Sequence, residues 1–279
     1  PVGRLVRRAK VKNENGKKVL YNAYDEAEFL ASTDLNFRPV QAQTGPDGNL
    51  YIVDMYRGII QEGNWTREGS HLRPVILRKG LDKNIGRGRI YRIVHEDIKP
   101  AGKPNLLNKS AAELADYLGH PNGWYRNTAQ KLIILKGDMG VVPKLKEIAK
   151  NNESFWTEYF GSKDYPRERV HALWTLEGLG VVDKSLILEK LNDKDYRVRI
   201  TAIRLSEEFL KKEDRDIMQA LAKLQNDTDI NVVNQLVLSL RYAKSSEGSD
   251  LLTSISEKYK DNEMVMASVE LGLKAKDSD

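Results

Sequence analysis

The sequence predicts an α+β protein in two parts, a β-rich first third and an array of paired helices that fills the rest. Short apolar runs separated by Gly, Pro and Asn turns continue to about residue 98. A linker rich in Pro and Lys follows, and after it the apolar period changes from about 2 to about 3.6 residues. We therefore divide the chain into residues 1–98, 99–104 and 105–279.

The first part is expected to contain hairpins. Asn13–Gly16 is a natural turn between two strands, because Asn and Gly tolerate positive φ. A Gly-Pro-Asp-Gly-Asn turn joins the predicted strands Phe37–Thr44 and Leu50–Asp54. A further strand is expected at Gly88–Val94, and a helical excursion near residues 67–80 interrupts the β pattern.

Helix starts recur at regular intervals in the second part. They lie near Asn122, Tyr165, Asp195, Asp229 and Asn262. A period of about 30–45 residues made of paired helices is typical of an α-solenoid, and we expect about five helical hairpins.

Three of these starts carry an aspartate that can cap the following helix: Asp195, Asp229 and Asp261. The helices then place apolar residues along one face, and Phe209 is expected to continue the face of the helix after Asp195. This register predicts that four apolar side chains are buried: Val198, Leu205, Leu236 and Leu240.

Charge and composition exclude several classes of protein. Residues 1–103 carry 19 Lys/Arg against 12 Asp/Glu, whereas residues 104–279 carry 26 against 28. The slightly acidic helical part argues against nucleic acid as a partner.

No apolar run has the ~18 residues that a transmembrane helix needs. The absence of cysteine excludes disulfides, thiolate metal sites and haem attachment within the chain. The start at Pro1, without an initiator Met, indicates an excerpt of a longer polypeptide.

Seven segments carry a resemblance to a known family. They are Glu28–Asp34, Phe37–Val40, Gly45–Tyr51, Asp54–Arg57, Gly88–Ile93, His120–Arg126 and His171–Leu179. In this order they resemble a bacterial family of membrane-bound dehydrogenases, whose members join a quinoprotein-type β-propeller to HEAT repeats and often to a cytochrome c domain.

The resemblance implies that residues 1–98 are the last one or two blades of a six-bladed propeller and that residues 105–279 are HEAT-like repeats. It also implies export to the periplasm or its membrane face. In the intact parent it implies a pyrroloquinoline quinone-type cofactor with calcium, a sugar or alcohol substrate, and haem in a separate downstream domain. The repeats would then dock a protein partner or the adjacent cytochrome domain. One or two blades cannot enclose a cofactor, so we expect neither cofactor nor turnover in this chain alone.

The resemblance places four residues at a cofactor site: Arg38, Asp54, Tyr56 and Arg57. Arg38 is similar to an arginine that contacts the quinone in soluble sugar dehydrogenases, and a guanidinium suits a quinone that carries carboxylates. In a different interpretation Arg38 pairs with Asp34 or Asp54 and holds blades together. The other three residues could bind a polar ligand or form a buried ion pair at a blade interface.

The remaining polar candidates have structural interpretations. Asp47 is expected to build its turn, His120 to cap or pack a turn, and His171 to be a satisfied core histidine. None of the four histidines has metal-ligand spacing, so no metal site is predicted in this chain. The aromatic insert at residues 152–163 either packs over the core or forms an interaction patch. Two functions remain open, a portion of a quinoprotein-like dehydrogenase or a non-catalytic binding scaffold.

Overall fold

A computed structural model describes residues 3–60, 66–150 and 166–276 of the chain. These residues form an α+β protein with small antiparallel sheets and many helices, and they form no closed barrel. The chain divides into two compact units after Pro104, except that residues 13–17 group with the second unit. The broad α+β prediction is confirmed. The predicted start at Tyr165 and the aromatic insert at 152–163 lie outside the described residues.

The first unit contains short strands and one short helix. In chain order they are β1 (Leu5–Val6), β2 (Ala9–Glu14), β3 (Lys17–Asn22), β4 (Leu30–Ala31), β5 (Pro39–Thr44), β6 (Leu50–Asp54), α1 (Arg73–Lys79) and β7 (Arg89–Ile93). β1 pairs with β4, β2 pairs with β3, and β5, β6 and β7 form a three-stranded antiparallel sheet.

Both predicted hairpins are present. Asn15 and Gly16 take positive φ values of 50° and 90°, as expected for the turn between β2 and β3. In the second turn Asp47 accepts hydrogen bonds from the backbone N–H of Asn49 at 3.2 Å and from the Tyr51 hydroxyl at 2.9 Å. The structural role predicted for Asp47 is therefore confirmed.

The first unit buries few apolar side chains. Among its described residues the buried hydrophobic side chains are Phe37, Ile52 and Ile76. The Phe37 ring meets the Tyr91 ring edge-on, with 6.1 Å between centroids. The sheet thus has a narrow core, and much apolar surface in this unit faces solvent.

The second unit, here called the helical unit, consists of helices and short 3₁₀ turns. The α-helices are α2 (Ala111–Ala115), α3 (Gly123–Lys136), α4 (Val142–Lys150), α5 (Pro166–Gly178), α6 (Lys184–Lys190), α7 (Tyr196–Leu205), α8 (Glu207–Leu210), α9 (Arg215–Lys223), α10 (Ile230–Leu240), α11 (Ser246–Lys258) and α12 (Glu263–Lys276). The 3₁₀ turns are Asp116–Gly119, Met139–Val141 and Leu224–Asn226.

These helices pack in two rows. α3, α5, α7, α10 and α12 contact one another in chain order, and α2, α4, α6, α9 and α11 form a second row in the same way. Buried side chains from both rows form one continuous hydrophobic core. Each helix therefore packs mainly on its neighbours in the chain and in the adjoining pairs.

Helix capping follows the predicted positions with one correction. The carboxylates of Asp195 and Asp229 accept from backbone N–H groups at the start of α7 and α10, at 2.9 and 2.8 Å. The prediction for Asp261 is wrong. Asn262 caps α12, because it directly precedes the first helical residue and its side-chain oxygen accepts from the N–H of Met264 and of Val265.

The predicted register of the core is confirmed at four positions. The following side chains are buried: Val198, Leu205, Leu236 and Leu240. The prediction for Phe209 is wrong. α7 ends at Leu205, the Ser206 hydroxyl bonds to the Ile203 carbonyl at 2.7 Å, and Phe209 lies half-buried in α8.

Candidate functional site

Asp54 ends β6 and organises the loop that follows. Its side chain is almost fully buried, with the residue 1% exposed. One carboxylate oxygen, Oδ1, accepts from the backbone N–H of Arg38 at 2.7 Å and of Tyr56 at 2.8 Å. The other, Oδ2, has no hydrogen-bond partner among the described residues. Asp54 therefore joins the segment before β5 to the segment after β6.

The Arg38 guanidinium is held by backbone carbonyls. It donates from Nη1 to the carbonyl of Phe37 and from Nη2 to the carbonyl of Gly58, both at 2.9 Å. Burial and the nearby Arg4 lower the pKa of Arg38. The interpretation in which Arg38 pairs with Asp34 or Asp54 differs from these contacts, because the described hydrogen bonds of the guanidinium go to backbone carbonyls; the residue is partly exposed. Arg38 also precedes β5, because this strand begins at Pro39 and not at Phe37.

Tyr56 lies in a polar cluster with Asp34 and Arg89. Its backbone φ of 46° is in the left-handed region, which a tyrosine rarely adopts. The Arg89 guanidinium lies 3.4 Å above the ring centroid. The Tyr56 hydroxyl bonds to Asp34, which raises the pKa of Tyr56. The pKa of Asp34 is lowered, first by the backbone N–H of Asn36 and then by Tyr56.

Arg57 lines a cavity of about 240 Å³ together with Arg73, Ile76 and Asp82. The structure thus brings Arg38, Asp54 and Tyr56 together around one loop and places Arg57 in this adjoining cavity.

The observed contacts of these residues lie within the protein. Each terminal nitrogen of Arg38 donates to one backbone carbonyl, so two of the five N–H donors of the guanidinium bind the loop. Asp54 Oδ1 is likewise taken by two backbone N–H groups. The residues that the structure describes also contain no group of three or more potential metal-ligating side chains. In this chain the cluster holds the loop after β6.

We predict that Arg38→Ala lowers the free energy of unfolding of the first unit by about 1–3 kcal/mol, because two bonds from a charged donor are lost. Hydrogen exchange of peptides from β5 and β6, with urea denaturation, measures the effect. Arg92→Ala is the control, since the exposed Arg92 only reaches Asp47 at 3.4 Å and should cost less than about 1 kcal/mol. Unchanged exchange in Arg38→Ala would contradict the structural role and favour a guanidinium reserved for a ligand.

Sequence reasoning missed a buried charge network in the helical unit. The side chains of Arg169 and Asp193 are each 2% exposed and form an ion pair at 3.0 Å. Lys190 approaches the same carboxylate at 3.5 Å, and the backbone N–H of Asp195 donates to it at 3.0 Å. The Asp193 carboxylate thus interacts with two cationic side chains and with one backbone N–H group.

The same arrangement recurs one repeat later. Asp227 accepts from the backbone N–H of Asp229 at 2.8 Å and from two nitrogens of Arg199, each at 2.7 Å. The signal in the sequence is the pattern Asn-Asp-x-Asp at 192–195 and again at 226–229. In this register the helix after the second pattern carries Val233 where the helix after the first carries Arg199.

The two histidines of the helical unit have the predicted structural roles. His120 Nδ1 accepts from the backbone N–H of Asn122 at 3.0 Å, within the turn before α3. His171 Nδ1 lies 2.7 Å from Gln130 Oε1, and the Arg126 Nε donates to His171 Nε2 at 3.3 Å. A neutral imidazole that donates from Nδ1 satisfies both contacts.

We predict that His171 makes stability depend on pH. Burial, with Arg126 adding to it, lowers the pKa of His171 to about 4, whereas the unfolded chain has a pKa of about 6.5. The unfolded state therefore binds more protons between these values, and the free energy of unfolding falls by up to about 3 kcal/mol as pH drops from about 6.5 to about 4. Urea denaturation across this range measures it. The loss should shrink in His171→Gln and persist in His95→Gln, whose side chain is exposed. Equal profiles for wild type and His171→Gln would contradict it.

A groove of about 410 Å³ lies where α5 and α7 end and α8 begins. The half-buried rings of Trp174 and Phe209 line it with Leu205. Exposed Glu177 lies at the same groove, at the negative C-terminal end of α5. Charged side chains of both signs also line it, among them Arg204, which pairs with Glu207 at 3.5 Å, and Glu208, which pairs with Lys211. The groove therefore combines an apolar lining with charges of both signs and with Glu177 at a helix end.

The comparisons with known proteins concern mainly the first unit. A family model described as a domain of unknown function, DUF7133, matches residues 1–97. No curated protein matches the chain. In the part of the chain that the structure describes, none of the helices combines the length and apolar character that crossing a bilayer requires.

Proposed function

We propose that the helical unit is a HEAT-like α-solenoid that works as a docking scaffold for a protein segment. The two rows of helices, in which each helix packs on the next of its row, support the solenoid. The recurrent Asp193 and Asp227 turns support a repeat of common origin. The observation that carries the docking function is the groove between α5, α7 and α8.

We further propose that the first unit is the last part of a β-propeller. The antiparallel order β5-β6-β7 is compatible with a propeller blade. Several large apolar side chains of the strands and of the segment after β7 are more than half exposed, which suits a sheet that packs on further sheets: Val11, Leu20, Ile90, Val94 and Ile98.

The occupant of the groove is proposed to be a peptide segment of a partner protein with an apolar anchor next to Lys or Arg. The anchor would insert between Trp174 and Phe209, as aromatic-lined pockets commonly accept one buried side chain. A neighbouring cation would meet Glu177 and the negative end of α5. Binding should therefore weaken as salt concentration rises.

Selection of a phage-displayed peptide library against the whole chain tests this function. Enriched peptides should contain an aromatic or aliphatic residue beside Lys or Arg, and Trp174→Ala with Phe209→Ala should weaken them at least about tenfold. Leu135→Ala is the matched control, since Leu135 is an exposed apolar residue on α3, outside the groove. Peptides that bind both variants equally would refute docking at the groove.

The second candidate is that a longer parent protein is a quinoprotein-like dehydrogenase, with the helical unit as a spacer or a dock for an electron acceptor. The ordered set of seven segments that resembles that family favours it. Adding pyrroloquinoline quinone, calcium and sugars to this chain should give no dye reduction, because one or two propeller blades cannot enclose a cofactor. Sugar-dependent dye reduction by this chain would overturn that expectation.

A further inference from the structure

The net charge of the chain is concentrated in one surface segment. Residues 66–89 contain seven Lys/Arg and two Asp/Glu, a net charge of +5, which equals the net charge of the whole chain. All other residues together are therefore neutral. This segment, here called the basic excursion, contains α1 and ends at the first residue of β7.

The basic excursion belongs to an unusually long connection. β6 and β7 are adjacent antiparallel strands in which Asp54 pairs with Arg89, so residues 55–88 link two neighbouring strand ends. A hairpin needs only about 2–5 residues for this, and connections longer than about 15 residues are usually functional. The length is therefore not required by the sheet.

Its basic side chains are available to a partner. Six of them are exposed and form no ion pair among the described residues: Arg67, Arg73, Arg78, Lys79, Lys83 and Arg87. The seventh, Arg89, stacks on Tyr56 instead. A cluster of unpaired cations of this density attracts an anionic surface.

Apolar side chains are exposed among these cations. Leu72, Leu77 and Ile85 are 42%, 53% and 65% exposed. α1 buries Ile76. Arg73 and Leu77, at i and i+4, are neighbours on the surface of α1, and both are exposed. The exposed surface of the excursion is both basic and apolar.

We propose that the basic excursion docks the protein on the surface of an anionic lipid bilayer. Lipid headgroups neutralise the cations, while the acyl boundary accepts aliphatic side chains that water does not solvate well. A nucleic acid would take the cations by phosphate contacts and leave Leu72, Leu77 and Ile85 exposed. This inference is independent of the docking groove and of the dehydrogenase proposal.

Vesicle co-sedimentation of the whole chain tests the proposal. Binding is expected to phosphatidylcholine vesicles that contain about 30% phosphatidylglycerol, to be much weaker without the anionic lipid, and to fall with added salt. The triple variant Arg78→Glu, Lys79→Glu and Lys83→Glu should bind about a hundredfold more weakly. The matched control reverses three exposed charges of the helical unit that form no ion pair: Lys223→Glu, Lys244→Glu and Lys260→Glu. It changes the net charge equally and should retain most of the binding.

A second variant separates lipid from other polyanions. Leu72→Ser, Leu77→Ser and Ile85→Ser should weaken vesicle binding at least about tenfold and keep its salt dependence. Circular dichroism checks that both variants remain folded. Failure of the wild-type chain to bind anionic vesicles, or equal losses in the helical control, would overturn the proposal. So would tighter binding to duplex DNA that the serine substitutions leave unchanged, which would assign the excursion to nucleic acid.

Discussion

Asp193→Ala is expected to destabilise the helical unit by about 3–5 kcal/mol, the largest effect of any polar substitution proposed here. The substitution removes the Asp193 carboxylate from its ion pair with Arg169, whose side chain is 2% exposed. It also removes one of the acceptors of Lys190 and the acceptor of the backbone N–H of Asp195. Urea denaturation followed by circular dichroism measures the loss.

The control for this experiment is Asp261→Ala, because Asp261 is exposed and caps no helix. It should change stability by less than about 0.5 kcal/mol. The double variant Arg169→Met with Asp193→Leu should lose less than the sum of its single variants, since no lone charge from that ion pair remains buried. A loss below about 1 kcal/mol in Asp193→Ala would contradict the buried network.

Leu236→Ala is expected to cost about 2–5 kcal/mol. Leu236 is fully buried in α10, which packs against both α7 and α12, so truncation leaves a cavity within the continuous core. Denaturation in urea measures the change. Leu271→Ala is the matched control, because the Leu271 side chain on α12 is 61% exposed, and its loss should be small. Equal costs at the two positions would contradict the packing of α10 between α7 and α12.

The sequence predicts those parts of the fold that depend on neighbouring residues. The turn at Asn15 and Gly16 is local, since both residues tolerate positive φ, and the caps at Asp195 and Asp229 are equally local. The wrong prediction at Asp261 also concerns residues that are neighbours in the sequence. Two capping residues adjoin there, and the exact first residue of the helix decides between them.

Contacts between residues that are far apart in the sequence could not be predicted in the same way. Arg169 and Asp193 are 24 positions apart, and their pairing depends on how α5 meets the turn before α7. The Arg38 side chain bonds to the Gly58 carbonyl, which comes near only because the loop after β6 turns back at Tyr56. The residue type at position 38 predicts a strong donor, but it does not distinguish a ligand from a backbone carbonyl.

Position 233 holds valine where the preceding repeat holds Arg199, and this difference affects the order in which the helices of the helical unit unfold. Arg199 connects its helix to the next turn through Asp227, but the helix that contains Val233 has no such cation to offer to the following pair, α11 and α12. In a linear array each boundary contributes its own coupling energy, and the weakest boundary limits cooperativity. Fluctuations that expose backbone amides should therefore begin at the α11–α12 pair and spread toward α7, so that the array has a direction of unfolding although its repeats look alike.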